Sequence, residues 1–198
     1  MSSTRANELR LKTGAASDTP VFELNVTRGI SRKFFSATGA FFMSMEIYLL
    51  TNDDVPSMEE WQKAIDALAF DVRFLDKREF PNETRFKMEC AGNPVPMELT
   101  RFDLAYVREA YPDVIFPEHV LHVHVLRWGM SFAGSVGAYQ VAAACLALAK
   151  GLMIDTEEAK LKAPDEAVKL AHRMAVEIPA LEAAVMALAT KPGPRSRN

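Results

Sequence analysis

With 198 residues, 49% of them apolar and 25% charged, the chain is long enough for one domain with a sizeable core. A net charge of −3 and a pI near 5.9 exclude an electrostatic footprint for nucleic acid. Two cysteines exclude a disulfide framework, so a reducing cytoplasm is the expected location.

Charge is unevenly spread along the chain. Residues 1–42 hold six Lys/Arg against three acids, a net of +3, which leaves −6 for the remainder. Residues 1–20 are polar, lack periodicity and lack the apolar centre of a secretory signal. Residues 21–27 (VFELNVT) alternate as a strand does. A basic stretch then leads into Met43-Ser44-Met45, directly ahead of the first well-patterned strand. Two readings of residues 1–42 stand side by side: a basic, disordered extension, or a leader ahead of a true translation start at Met43 or Met45. The domain proper is assigned to residues 43–190, and 191–198 (KPGPRSRN) to a frayed tail.

Within the domain, residues 46–50 (EIYLL) read as the first core strand. Ser57 and Glu60 have capping-box spacing and open a helix over 57–68, whose Trp61, Ile65 and Leu68 form one apolar stripe. Residues 71–75 and 85–91 alternate as strands, with Phe86, Met88 and Cys90 on one face. Gly92-Asn93-Pro94 signals a turn, and 97–104 the returning strand of a hairpin. Residues 106–111 suit one helical turn or a loop. The strand over 119–128, ending in Trp128, passes through a short turn into a nearly uncharged helix over 131–150. Its length and lack of charge admit a membrane span, but its glycines, serines, Gln140 and many alanines favour a buried core helix. Gly151 is expected to cap it. Residues 153–155 are extended, and Glu157-Glu158 with Lys160 and Lys162 read as a solvated loop. The last helix begins at Pro164-Asp165-Glu166, with Pro179 expected to break or kink it.

The motif search is sparse. His122 and His124 point to one face of their strand, a spacing that lets both rings reach one ion; His172, Glu98 or Asp155 is the candidate third ligand for zinc or another divalent metal. The competing reading is a pair of hydrogen-bonded structural histidines. Cys145 and Cys90 read as buried, inert thiols. Gly134 and Gly137 lack the rest of a dinucleotide-binding loop and suit close helix–sheet packing. Arg127 and Trp128 are residue types enriched at binding hot spots, against the plainer reading of a core Trp.

One pattern runs through Arg127-Trp128-Gly129, residues 141–149, 151–155 and 165–170. It resembles that of small uncharacterised bacterial α+β proteins, some of which are similar to immunity partners of secreted toxins. The resemblance covers about the C-terminal third of the chain, at mainly structural positions, and carries over no catalytic residue. It implies an interaction role.

The expected architecture is α+β: a mostly antiparallel sheet of four to six strands between about Met45 and Trp128, with helices over 57–68, 131–150 and 165–188 packed mainly on one face. The expected function is a non-enzymatic protein-binding domain of immunity type, with a toxin as partner, no cofactor, and neither nucleic acid nor membrane. The alternative is a small metal-dependent enzyme centred on His122 and His124. A homo-oligomer joined through the apolar helix is a third reading.

Overall fold

Strand alternation sets up a sheet with two unlike faces. The computed structural model describes residues 44–76, 83–118, 120–156 and 158–190. The basic segment at 1–42, with its expected strand at 21–27, and Met43 lie outside it, as do His119, Glu157 and the tail at 191–198.

The elements run β1 (Ser44–Thr51), α1 (Met58–Ala67), β2 (Val72–Phe74), β3 (Glu83–Cys90), β4 (Asn93–Phe102), α2 (Leu104–Ala110), β5 (His122–Gly129), α3 (Phe132–Ala149), β6 (Leu152–Asp155), β7 (Lys160–Lys162) and α4 (Pro164–Ala189). Every strand pair is antiparallel, in the order β2-β3-β4-β5-β1-β6-β7. The α+β class with helices on the sheet is as expected. The described sheet has seven strands rather than four to six, because it continues past Trp128. The charged segment read as a loop pairs with β6 as β7: Lys160 and Lys162 lie on one face and Leu161 on the other, beneath an apolar cluster.

The first face carries Ile47, Leu49, Phe86, Met88, Val95, Met97, Leu99, Leu126 and Trp128, and receives α1, α3 and α4. The second carries Tyr48, Leu50, Val123, Val125 and Ile154, covered by Val107 of α2 and by Val120. α3 is apolar on every side and buried from Val136 to Leu146. That composition suits a helix walled in by the sheet on one side and by α1 and α4 on the other. Trp61 of α1 donates its indole N–H to the Val141 carbonyl at 2.8 Å. α1 also covers the sheet edge: Gln62 accepts from the Phe74 amide at 2.8 Å and donates to the Val72 carbonyl at 3.0 Å, occupying backbone groups that an edge strand leaves free.

Local signals explain the boundaries. Ser57 and Glu60 form the expected capping box. Ser131 caps α3 by accepting from the Gly134 amide at 3.0 Å. The β3–β4 turn falls at Ala91-Gly92, both with positive φ (48° and 76°), one step before the expected position. This two-residue turn matches the twist of the strands it joins. Pro94 and Pro96 then lie in β4 ahead of Met97, where pairing with β5 begins, so neither is asked for an amide on that side. β5 begins at His122, three residues later than expected.

At the end of α3 the left-handed cap residue is Lys150, with φ 50°, and Gly151 serves a different need. A Cβ at Gly151 would overlap the Leu50 carbonyl oxygen, which is backbone and cannot move aside. Pro179 does not divide the last helix: α4 is continuous for 26 residues. Pro removes one amide donor, and the strong helix formers around it (Met174, Ala175 and Glu177 before it, Ala180 to Ala184 after it) carry the helix past it.

Gly151→Ala is expected to lower stability by about 2 kcal/mol or more through overpacking. Gly129→Ala, where a Cβ meets nothing within 4 Å, should stay within about 0.5 kcal/mol of wild type. Urea unfolding of the two variants checks this.

Candidate functional site

The histidine pair sits where β5 begins. His122 and His124 share the first face of the sheet, as their spacing requires, with ring centroids 6.3 Å apart. A ring nitrogen of His122 is hydrogen-bonded by the Arg101 guanidinium, and Asp54 lies 3.6 Å from Arg101 and 4.0 Å from His122. His124 is 6% exposed, and its Nε2 has no hydrogen-bond partner. Burial, with the Arg101 and His122 charges added, pushes the His124 ring down to about 4, against a smaller opposing pull from Asp54.

None of the proposed third ligands joins this pair. Glu98 lies on the opposite face, against Arg85 and Arg127. Asp155 accepts from the Tyr139 hydroxyl at 3.5 Å and stands 3.8 Å from Lys162. His172 packs against Phe70. Among the described residues no group of three or more His, Cys, Asp or Glu side chains is placed to hold a metal.

Arg127 and Trp128 are neighbours in sequence on opposite faces of the sheet. Trp128 is 3% exposed beneath α3 and donates its indole N–H to the Ser135 hydroxyl at 3.2 Å. Arg127 lies between Glu46 (3.1 Å) and Glu98 (3.5 Å), with its guanidinium 4.9 Å from the centre of the Phe102 ring. Both are held by intramolecular partners, which suits a packing role better than contact with another protein. The thiols are equally enclosed: burial pushes Cys145 up to about 12, and burial with the Asp71 charge pushes Cys90 up to about 11. Gly134 and Gly137 do serve close packing, since a Cβ at 137 would collide with Met88 and crowd Cys90.

The feature that the motif search missed is on α4. Ala167, Ala171, Met174, Ile178, Leu181, Val185 and Leu188 alternate in steps of four and three, the repeat of a helix–helix seam. The first four pack into the core beside α3. From Leu181 onward the helix has left the body, and the same stripe faces solvent: Leu181 is 57% exposed, Val185 45% and Leu188 56%. Met186 is exposed next to it. The heptad spacing was readable in the sequence, but the loss of its covering partner was not.

A cleft of about 230 Å³ opens at the root of this segment. Ala175, Ile178, Pro179 and Glu182 form one wall, with Gln140 and Asp71 opposite. Its charged lining residues, Asp71 and Glu182, are both acidic. Gln140 is 4% exposed with its Oε1 unpartnered. Pro179 has no amide hydrogen to give the Ala175 carbonyl one turn earlier, which leaves a further acceptor beside the cleft.

No protein-family model, curated protein or solved structure matches the chain.

The His124 shift carries a sign. The unfolded chain takes up a proton near pH 6.5 and the folded chain near 4, so stability is intact above 6.5 and falls as pH drops through that window. The loss reaches about 3 kcal/mol. Replacing His124 with Leu should remove that part of the pH dependence, read as a smaller change in urea midpoint between pH 7 and pH 4.5 than in wild type.

Proposed function

We propose that the chain is a non-enzymatic protein-binding domain whose contact surface is the distal half of α4 with the cleft at its root. One observation carries this reading: the stripe that packs against α3 continues through Leu181, Val185 and Leu188 as a formed apolar face that nothing among the described residues covers. Contiguous exposed apolar surface of this kind marks interaction sites, and an amphipathic helix presents its anchors at this spacing. Toxin neutralisation, the role implied by the resemblance noted above, is the more specific form of the proposal, with the cytoplasm as its setting. A metal-dependent enzyme at His122 and His124 has less support, because Arg101 occupies the His122 ring and the suggested third ligands are engaged elsewhere.

The test is capture by the tagged full chain from lysate of its own host, comparing wild type with two double variants. Leu181→Glu with Leu188→Glu should lose the bound protein while far-UV circular dichroism and the urea midpoint stay unchanged, since both side chains face solvent. His122→Ala with His124→Ala should retain it. Binding that survives the first variant and disappears in the second would sink the α4 reading.

A further inference from the structure

The cleft beside Pro179 gathers hydrogen-bond acceptors. Glu182 faces it from α4, and Asp71, the residue before β2, from the opposite side. No lysine, arginine or histidine is among the described residues that line it. Both carboxylates are exposed, and neither has an ion-pair partner among the described residues. Gln140 of α3 adds an acceptor of another kind: it is 4% exposed, lines the cleft, and leaves its Oε1 without a hydrogen-bond partner. Native folds leave few buried acceptors in that state. The last torsion of a glutamine side chain is soft, so this oxygen can turn to meet a donor entering the cleft. The Ala175 carbonyl, to which Pro179 gives no amide, is a fourth acceptor.

We propose that this cleft binds a guanidinium group carried on a short alkyl stem. Where that group is an arginine of a bound protein, the inference rests on the reading of α4 as a contact surface and names the anchor.

Charge, shape and size select the ligand. Two carboxylates facing each other across a cleft complement a cation. Between them the lining is apolar, with Phe132 and Val136 from α3 and Ile178 from α4. A guanidinium is weakly hydrated, stacks its flat faces on aromatic rings and directs five N–H donors outward from its edge. It therefore meets the apolar lining and the scattered acceptors at once. An ammonium is a strongly hydrated point charge with three donors, and it gives up more on leaving water. At about 230 Å³ the cleft is smaller than the roughly 300–1,000 Å³ of a pocket for a drug-sized molecule, and it suits one side-chain-sized group.

The probe is N-acetyl-arginine amide, titrated into the isotope-labelled full chain and followed by amide NMR shifts. N-acetyl-citrulline amide serves as its neutral isostere. Shifts at Asp71, Val136 and Ile178, and at the side-chain amide of Gln140, should saturate with a dissociation constant on the order of 1 mM. The citrulline analogue should bind at least about tenfold more weakly. Asp71→Asn and Glu182→Gln, both at exposed positions, should each weaken arginine binding by about two- to fivefold. Glu177→Gln, which removes an acid of α4 outside the cleft, should leave it unchanged. The absence of saturable shifts at about 20 mM probe overturns the proposal. Equal binding of the two analogues overturns it as well, and so does tighter binding of N-acetyl-lysine amide. Capture from host lysate then separates the sources of the group. Loss of the captured protein in Asp71→Asn with Glu182→Gln assigns the guanidinium to a partner's arginine, whereas unchanged capture assigns it to a free alkylguanidinium compound. Capture that survives Leu181→Glu with Leu188→Glu removes the reading of α4 and leaves the titration result standing.

Discussion

The structure depends on the burial of α3 on all its sides. A helix without a polar face has to be enclosed, and the enclosure dictates the rest: a sheet wide enough to lie beneath it, and α1 and α4 to close it from above. Contact with the sheet is close because Gly137 has no side chain to hold Met88 and Cys90 away, and Gly134 leaves room for Trp128. Cooperativity follows from this arrangement. Loosening α1, for example at the Trp61–Val141 hydrogen bond, exposes the same helix that the sheet and α4 need.

The opposite face of the sheet is organised by charge. Arg85, Glu98, Arg127 and Glu46 stand side by side on β3, β4, β5 and β1, each directly opposite the next in register. Alternating signs make each cross-strand neighbour favourable, and a one-residue slip would carry the whole row to the apolar face. Tyr48 extends the row by donating to Glu46 at 2.7 Å, and burial with the Glu46 carboxylate raises its phenol well above the usual range. Arg127 is thus a register-holding residue at the centre of the sheet. In sequence, next to Trp128, it had the look of a binding anchor.

α4 changes environment along its length without changing its pattern. Its first half is a core helix; its second half repeats the same stripe in water. Pro179 lies at the junction, where the helix passes the edge of the cleft. Because the distal side chains are exposed and not part of the core, substitutions there leave the packing of the core intact. The histidines at the start of β5 are the reverse case: His124 is tied to stability through its burial, and its neutral ring is a condition of the fold near neutral pH.

Much of the architecture was legible in the chain alone. Alternation at 46–50, 85–91 and 122–128, the Ser57–Glu60 box and the uniformly apolar 132–149 are local patterns with one physical reading each. Helix continuity through Pro179 was not legible, because one lost amide was weighed without the helix formers around it. The strand at 160–162 was hidden because two lysines in three residues look solvated until β6 lies beside them. The candidate site shows the division most clearly. Spacing along α4 determined that it would present an apolar stripe, and the residue types at 122, 124, 127 and 128 determined which chemistries were possible. Only the tertiary structure decided which parts of those patterns met a partner: Arg101 and Asp54 came to His122, Glu46 and Glu98 to Arg127, α3 covered Trp128, and nothing among the described residues covered Leu181 and Leu188. Periodicity is a property of neighbours in the chain, whereas exposure depends on segments far apart in it.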